Sequence, residues 1–162
     1  MRSARRLWSC ESGTAAIEFA LMTPFLVVLL GGVVELGFAM YESMQVNAAV
    51  EAGVLYSVAN GSALATSFSA TSVSGAVTGS GALPSAYTLT ATPAPTEFCG
   101  CPSASGSVTT LATAPPCSTA TCSGSTAATY VQVNASINHL VLLPTSFGLP
   151  NTFSATAIVR IQ

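Results

Sequence analysis

The stretch TAAIEFALMTPFLVVLLGGVVELGFAMY, residues 14–41, decides the architecture of this chain. It is apolar almost throughout, and from Phe19 to Val34 it carries no charge. A membrane-crossing helix needs about 20 apolar residues, and Thr14–Ile17 extends the run to that length. At the helical rise of about 1.5 Å per residue, Glu35 lies roughly 32 Å beyond Thr14. Glu18 and Glu35 therefore fall near opposite faces of a hydrocarbon layer about 30 Å thick, and neither is stranded at its centre. A single transmembrane helix is the expectation.

Charge sets its direction. Arg2, Arg5 and Arg6 precede the apolar run, and the next basic residue is Arg160. Positive charge stays on the cytoplasmic side, so the N-terminus is expected inside and the bulk of the chain outside the cytosol. Four cysteines between Cys99 and Cys122 agree, because disulfides persist in oxidising compartments. The composition fits the same picture. Only 6% of the 162 residues are charged, against roughly a quarter in soluble domains, and there is no Asp and no Lys. A nucleic-acid partner is excluded, since a net charge of -2 with no basic stripe offers nothing to release phosphate counterions.

Beyond the membrane the helix is expected to run on. Val46, Val50, Val54 and Val58 recur every four residues, with Asn47 and Glu51 offset from them. Ala48/Ala52 and Ala49/Gly53 place small residues where another helix can approach closely. Asn60-Gly61 reads as a stop, giving one helix from Thr14 to about Val58 with an amphipathic outer half. Pro24 removes one backbone hydrogen bond within it and is expected to kink it. Residues 61–81 read as a loop, or as a loop with one weak helix around Ser69–Val77. Alternation marks three strands, at Tyr87–Thr92, Tyr130–Leu143 and Thr152–Ile161. Pro93–Thr129 has no strong period. The plan is α+β: a long N-terminal transmembrane and amphipathic helix, then a small antiparallel β-sheet domain over residues 61–162 covered on one face by the helix.

Gly13-Thr14-Ala15-Ala16-Ile17-Glu18-Phe19 holds a further signal. A secretory cleavage site follows its apolar run, whereas here the glycine precedes a longer one. A glycine five residues before a glutamate, at the cytoplasmic edge of a membrane helix, has the form of a prepilin peptidase site. Cleavage after Gly13 would discard residues 1–13 and free the amine of Thr14. A carboxylate inside a membrane helix costs about 2.5–3.5 kcal/mol and needs a partner. Glu18 of one subunit could pair with the Thr14 amine of another, and its place in the first turn complements the helix dipole. An uncleaved signal anchor is the plain alternative.

This block, with Pro24-Phe25-Leu26, Glu35-Leu36-Gly37 and Asn47-Ala48-Ala49-Val50-Glu51-Ala52-Gly53, resembles the start of TadE-like proteins, the minor pseudopilins of the tight-adherence (Tad/Flp) pilus system. The resemblance covers roughly Ser12–Val58. It implies processing between Gly13 and Thr14 with Glu18 and Phe19 in the recognised segment. It also implies a structural role in pilus assembly, with prepilin peptidase, other pilin and pseudopilin subunits, Tad assembly proteins and the bacterial inner membrane as partners. The chain is far longer than the small major pilins, which have Tyr where Phe19 stands, so the main filament subunit is not expected.

The remaining motifs point away from catalysis. Cys99, Cys101, Cys117 and Cys122 lack the paired spacing of zinc ligands, and His139 is the one imidazole in the chain. Two disulfides are expected, each of Cys99 and Cys101 reaching either Cys117 or Cys122, since a Cys99–Cys101 bridge would be strained. Cys10 belongs to the leader. Without Asp, a Ser-His-Asp triad is impossible; a Ser-His-Glu version would need His139 with Glu42, Glu51 or Glu97, and no nucleophile-elbow motif exists. His139 is expected to be structural or solvent-facing. No cofactor or metal is expected. The rival reading is an uncleaved, membrane-anchored extracytoplasmic binding module.

Overall fold

The computed structural model describes residues 12–80, 88–112, 114–123, 125–139, 141 and 148–161. Its architecture is α+β: a long apolar N-terminal helix followed by a small antiparallel sheet. The chain divides into two compact units, Met1–Phe38 with Val141–Leu149, and Ala39–Leu140 with Pro150–Gln162.

Helix α1 runs unbroken for 48 residues, Ser12–Ala59. Pro24 lies inside it, lacking the N–H that would reach the Ala20 carbonyl, and the helix continues through it. In the first unit its apolar side chains point outward all round: Phe19, Leu21, Leu30 and Val33 are each at least 65% exposed. A helix apolar on every side and unburied belongs in a lipid-like solvent rather than in water. Gly13–Ala59 is long and apolar enough to cross a membrane, which is compatible with single-pass anchoring.

In the second unit α1 changes character. Glu42, Val46, Ala49, Val50, Gly53 and Ser57 are buried, while Asn47, Glu51 and Val58 are exposed. The stripe alternates steps of three and four. A strict four-residue step drifts by about 40° each time, so the Val46–Val50–Val54–Val58 series walks off the buried face by its last member. Asn60 forms the turn that ends α1. The following polar stretch holds a helix where a weak one was expected around Ser69–Val77, α3 (Ala70–Gly79), and before it a second helix that the sequence did not signal, α2 (Gly61–Thr66). Ser69 caps α3, its hydroxyl accepting from the Ser72 N–H at 3.3 Å.

The sheet has five strands rather than three: β1 (Leu89–Thr90), β2 (Thr96–Pro102), β3 (Val108–Thr110), β6 (Ala128–Asn138) and β7 (Thr152–Arg160). A separate two-stranded ribbon pairs β4 (Thr121–Cys122) with β5 (Ser125–Thr126). Strand β6 is central. One edge carries β7 over Tyr130–Asn138; the other carries β2 over residues 128–132 and β1 at residues 136–137. The first expected strand shrinks to Leu89–Thr90, with Tyr87 outside the described residues; the second ends at Asn138, and of its expected remainder Leu140, Leu142 and Leu143 lie outside the described residues.

One sheet face makes the core. Val131, Val133, Ala135 and Ile137 of β6 are buried against Val46, Ala49 and Val50 of α1, Leu64 of α2, and Val73 and Val77 of α3. Gly53 permits the closest approach. A Cβ there would lie 2.6 Å from Val77 Cγ2 and 2.7 Å from Val133 Cγ1. The Ala49/Gly53 pair thus admits both a helix, α3, and the sheet.

Candidate functional site

Gly13, Thr14, Glu18 and Phe19 lie in the first two turns of α1, and all four are exposed. Thr14 and Glu18 are four apart and share a helix face. A Cβ added to Gly13 meets nothing within 4 Å, so local packing supplies no reason for a glycine there.

The four cysteines of the second unit come together in two disulfides, Cys99–Cys117 and Cys101–Cys122, with Cα–Cα distances of 5.5 and 5.6 Å. Cys99 and Cys101 are two apart on β2 and point to the same face, which is why each reaches across to a different partner. The bridges tie a 3₁₀ turn (Cys117–Thr119) and the β4–β5 ribbon to the sheet edge. On the opposite face of β2, Phe98 stacks on Tyr130 with ring centroids 5.8 Å apart. Glu97 shares the inner face with Val131, its cross-strand partner. Burial pushes its carboxyl above the ordinary value, and its Oε1 is buried with no hydrogen-bond partner among the described residues.

Sequence reasoning missed a buried polar contact at the foot of this unit. His139 Nδ1 and Glu42 Oε2 are 2.5 Å apart, both side chains fully buried, and Phe153 meets the imidazole edge-on at 5.5 Å. Glu42 had entered only as one of three carboxylates that a triad could recruit. The signal that could have found the pair is the lone histidine one residue beyond a strand, with a carboxylate one residue beyond the apolar run. His139 is structural here, not solvent-facing. Among the described residues no group of three or more His, Cys, Asp or Glu is placed to hold a metal ion.

In the first unit Glu35 is also buried. It lines a cavity of about 380 Å³ with Val28, Leu29, Gly32, Val33, Leu36 and Leu149.

These features define a class: a helix compatible with membrane anchoring, carrying a disulfide-bonded α+β unit beyond it. Residues 13–55 match the family described as TadE-like protein, and the match begins at Gly13. No curated protein and no solved structure matches the chain significantly. The TadE-like segment comprises the whole apolar stretch of α1 and most of its buried stripe, and the disulfide-bonded sheet lies beyond it.

Proposed function

We propose that this protein is a structural, pseudopilin-like component of Tad/Flp pilus assembly. A prepilin peptidase cleaves it after Gly13, its Thr14–Tyr41 segment anchors it in the bacterial inner membrane, and the domain from residue 61 lies in the periplasm. The observation that carries this reading is the TadE-like match beginning at Gly13, at an exposed glycine that packing does not require. Its partners are pilin and pseudopilin subunits and the Tad assembly proteins. Glu18 has a defined part: freed by cleavage, the Thr14 amine of one subunit meets the Glu18 carboxylate of another, offsetting the cost of a charge within the membrane. The disulfide-stapled domain is a contact module, not a catalyst.

Intact mass and N-terminal sequencing of protein extracted from its native membrane test the reading. A chain beginning at Thr14 supports it. A chain still beginning at Met1, in cells with active prepilin peptidase, overturns it in favour of an uncleaved anchored binding module. Glu18→Ala is expected to be processed yet to fail in assembly; normal assembly would refute the amine–carboxylate pairing.

A further inference from the structure

Strand β7 is the long open edge of the sheet. Its nine residues, Thr152–Arg160, pair with β6 in unbroken register and, among the described residues, with no other strand. Bonds at both ends fix which backbone groups β6 takes. The His139 N–H donates to the Asn151 carbonyl at 2.9 Å, and the Ile161 N–H donates to the Thr129 carbonyl at 3.0 Å. Bonded and unbonded positions alternate along an antiparallel pair. The odd-numbered residues of β7 therefore spend their N–H and C=O on β6, while Thr152, Ser154, Thr156, Ile158 and Arg160 direct theirs away from the sheet. The side chains add a second, independent sign. Phe153, Ala155, Ala157 and Val159 pack against the core yet stay only half-buried, as at a rim that one more strand would close. Natural sheets guard an edge by keeping it short or by breaking it with Pro, Lys or a bulge. On the other side of the sheet β1 and β3 are two and three residues long. Strand β7 has neither Pro nor Gly nor Lys, and its register holds no bulge.

We propose that the β7 edge accepts an extended strand from a second protein, which joins the sheet through backbone hydrogen bonds. The chemistry of that strand follows from β7. Its side chains on the core face lie beside Phe153, Ala155, Ala157 and Val159 and are apolar; those between them lie beside Ser154, Thr156 and Ile158 on the outer face. The one charge in β7 is Arg160. Opposite charges across a strand pair are favoured, so an acidic residue belongs next to it. A second copy of this chain does not fit. Strand β7 starts where His139, on Glu42, bonds Asn151 and ends where the Ile161 carbonyl lies against Gly61, so it runs in the same direction as α1. Two copies joined antiparallel through β7 would point their α1 helices in opposite directions, which two anchors in one membrane cannot do. That exclusion rests on the membrane-anchor reading of α1; the strand acceptor itself rests neither on it nor on cleavage after Gly13.

The test uses the full chain in detergent micelles and a synthetic acetylated peptide, a glutamate followed by four valine–threonine repeats, with fluorescein at its C-terminus. Paired antiparallel with its glutamate beside Arg160, the peptide places its valines on the core face. Without peptide, the Ser154, Thr156 and Ile158 amides are expected to exchange with deuterium about tenfold faster than those of Ala155, Ala157 and Val159, read by NMR. Saturating peptide is expected to slow the first three about tenfold and to leave the others unchanged. Ser154→Pro removes an outward N–H and no bond to β6, a place where an edge strand tolerates proline. It is expected to weaken peptide binding about tenfold by fluorescence anisotropy while the circular dichroism spectrum is unchanged; Ile158→Pro makes the same test if that variant does not fold. Peptide that fails to bind, or binds without slowing the outward amides, overturns the proposal. So do outward amides that are slow without peptide: in a monomer they show the edge covered by the chain itself, and in a dimer they make a second copy its occupant. None of these outcomes depends on where the N-terminus begins, so the pilus reading stands or falls separately.

Discussion

Glu42 and His139, 97 positions apart, meet at 2.5 Å with neither side chain reached by solvent. The contact ties the first turn of α1 in the second unit to the end of the central strand, so the helix cannot turn about its axis without breaking it. His139→Leu takes the imidazole away from the buried Glu42 carboxyl, and losing a partner to a buried hydrogen-bonding group costs about 1–3 kcal/mol. Glu42→Leu with His139→Leu removes both polar groups and is expected to cost less than either single change. Denaturant unfolding of the four species in detergent, closed as a double-mutant cycle, checks both statements.

Gly53 offers a second test. With Val77 Cγ2 and Val133 Cγ1 at 2.6 and 2.7 Å from a built Cβ, Gly53→Ala forces α3 and β6 apart despite the better helix propensity of alanine. Overpacking of this kind costs about 1–3 kcal/mol, which exceeds the roughly 1 kcal/mol that alanine returns. A lowered Tm for Gly53→Ala is expected, and an unchanged or raised one would show that α3 can shift freely.

Each disulfide closes a modest loop, 18 and 21 residues in sequence separation. Loops of this size are worth about 3 kcal/mol apiece through the entropy of the unfolded chain. Cys99→Ser with Cys117→Ser is expected to cost more than Cys101→Ser with Cys122→Ser, because Cys99 and Cys117 are buried and the other two are only half-buried. Unfolding of the two double variants ranks them, and non-reducing peptide mapping of the parent reports the pairing.

Glu97 gives a pH dependence with a definite sign. Burial raises its carboxyl above the ordinary value. The folded state therefore holds this proton more tightly than the unfolded chain does. The stability so gained is complete below the unfolded pKa, about 4.3, and is lost as pH rises through the folded value. Glu97→Gln is expected to raise Tm at neutral pH and to flatten the Tm–pH curve on the acid side. A variant that loses stability at neutral pH would show that the carboxylate is needed ionised.

The long helix and the strongest strands were legible because their signals are local. Phe19–Val34 is apolar without interruption, and Val131, Val133, Ala135 and Ile137 alternate with polar residues along β6. Strand β2 was hidden for a physical reason: Phe98 stacks on Tyr130 on one face while Cys99 is buried on the other, so no period of two survives. Helices α2 and α3 lie in a Ser-, Thr- and Gly-rich stretch of weak propensity, and it is packing of Leu64, Val73 and Val77 into the core that holds them. Of the candidate sites, the cysteines could be picked from composition and compartment alone, whereas their pairing needed the strand direction of β2. The Glu42–His139 contact joins residues 97 positions apart, so its two local marks, a lone histidine after a strand and a carboxylate after the apolar run, did not point to each other.

The two disulfides cross in chain order, Cys99 and Cys101 each reaching past the other's loop to Cys117 and Cys122. Any single peptide-bond cut between Cys99 and Cys122 therefore leaves at least one bridge spanning it, and a cut between Cys101 and Cys117 is spanned by both. The exposed serine-rich tip at Ser103–Ser107 lies inside that doubly held interval. Clipped there by a protease, the domain would gain a water molecule in mass and run as one piece until reduced.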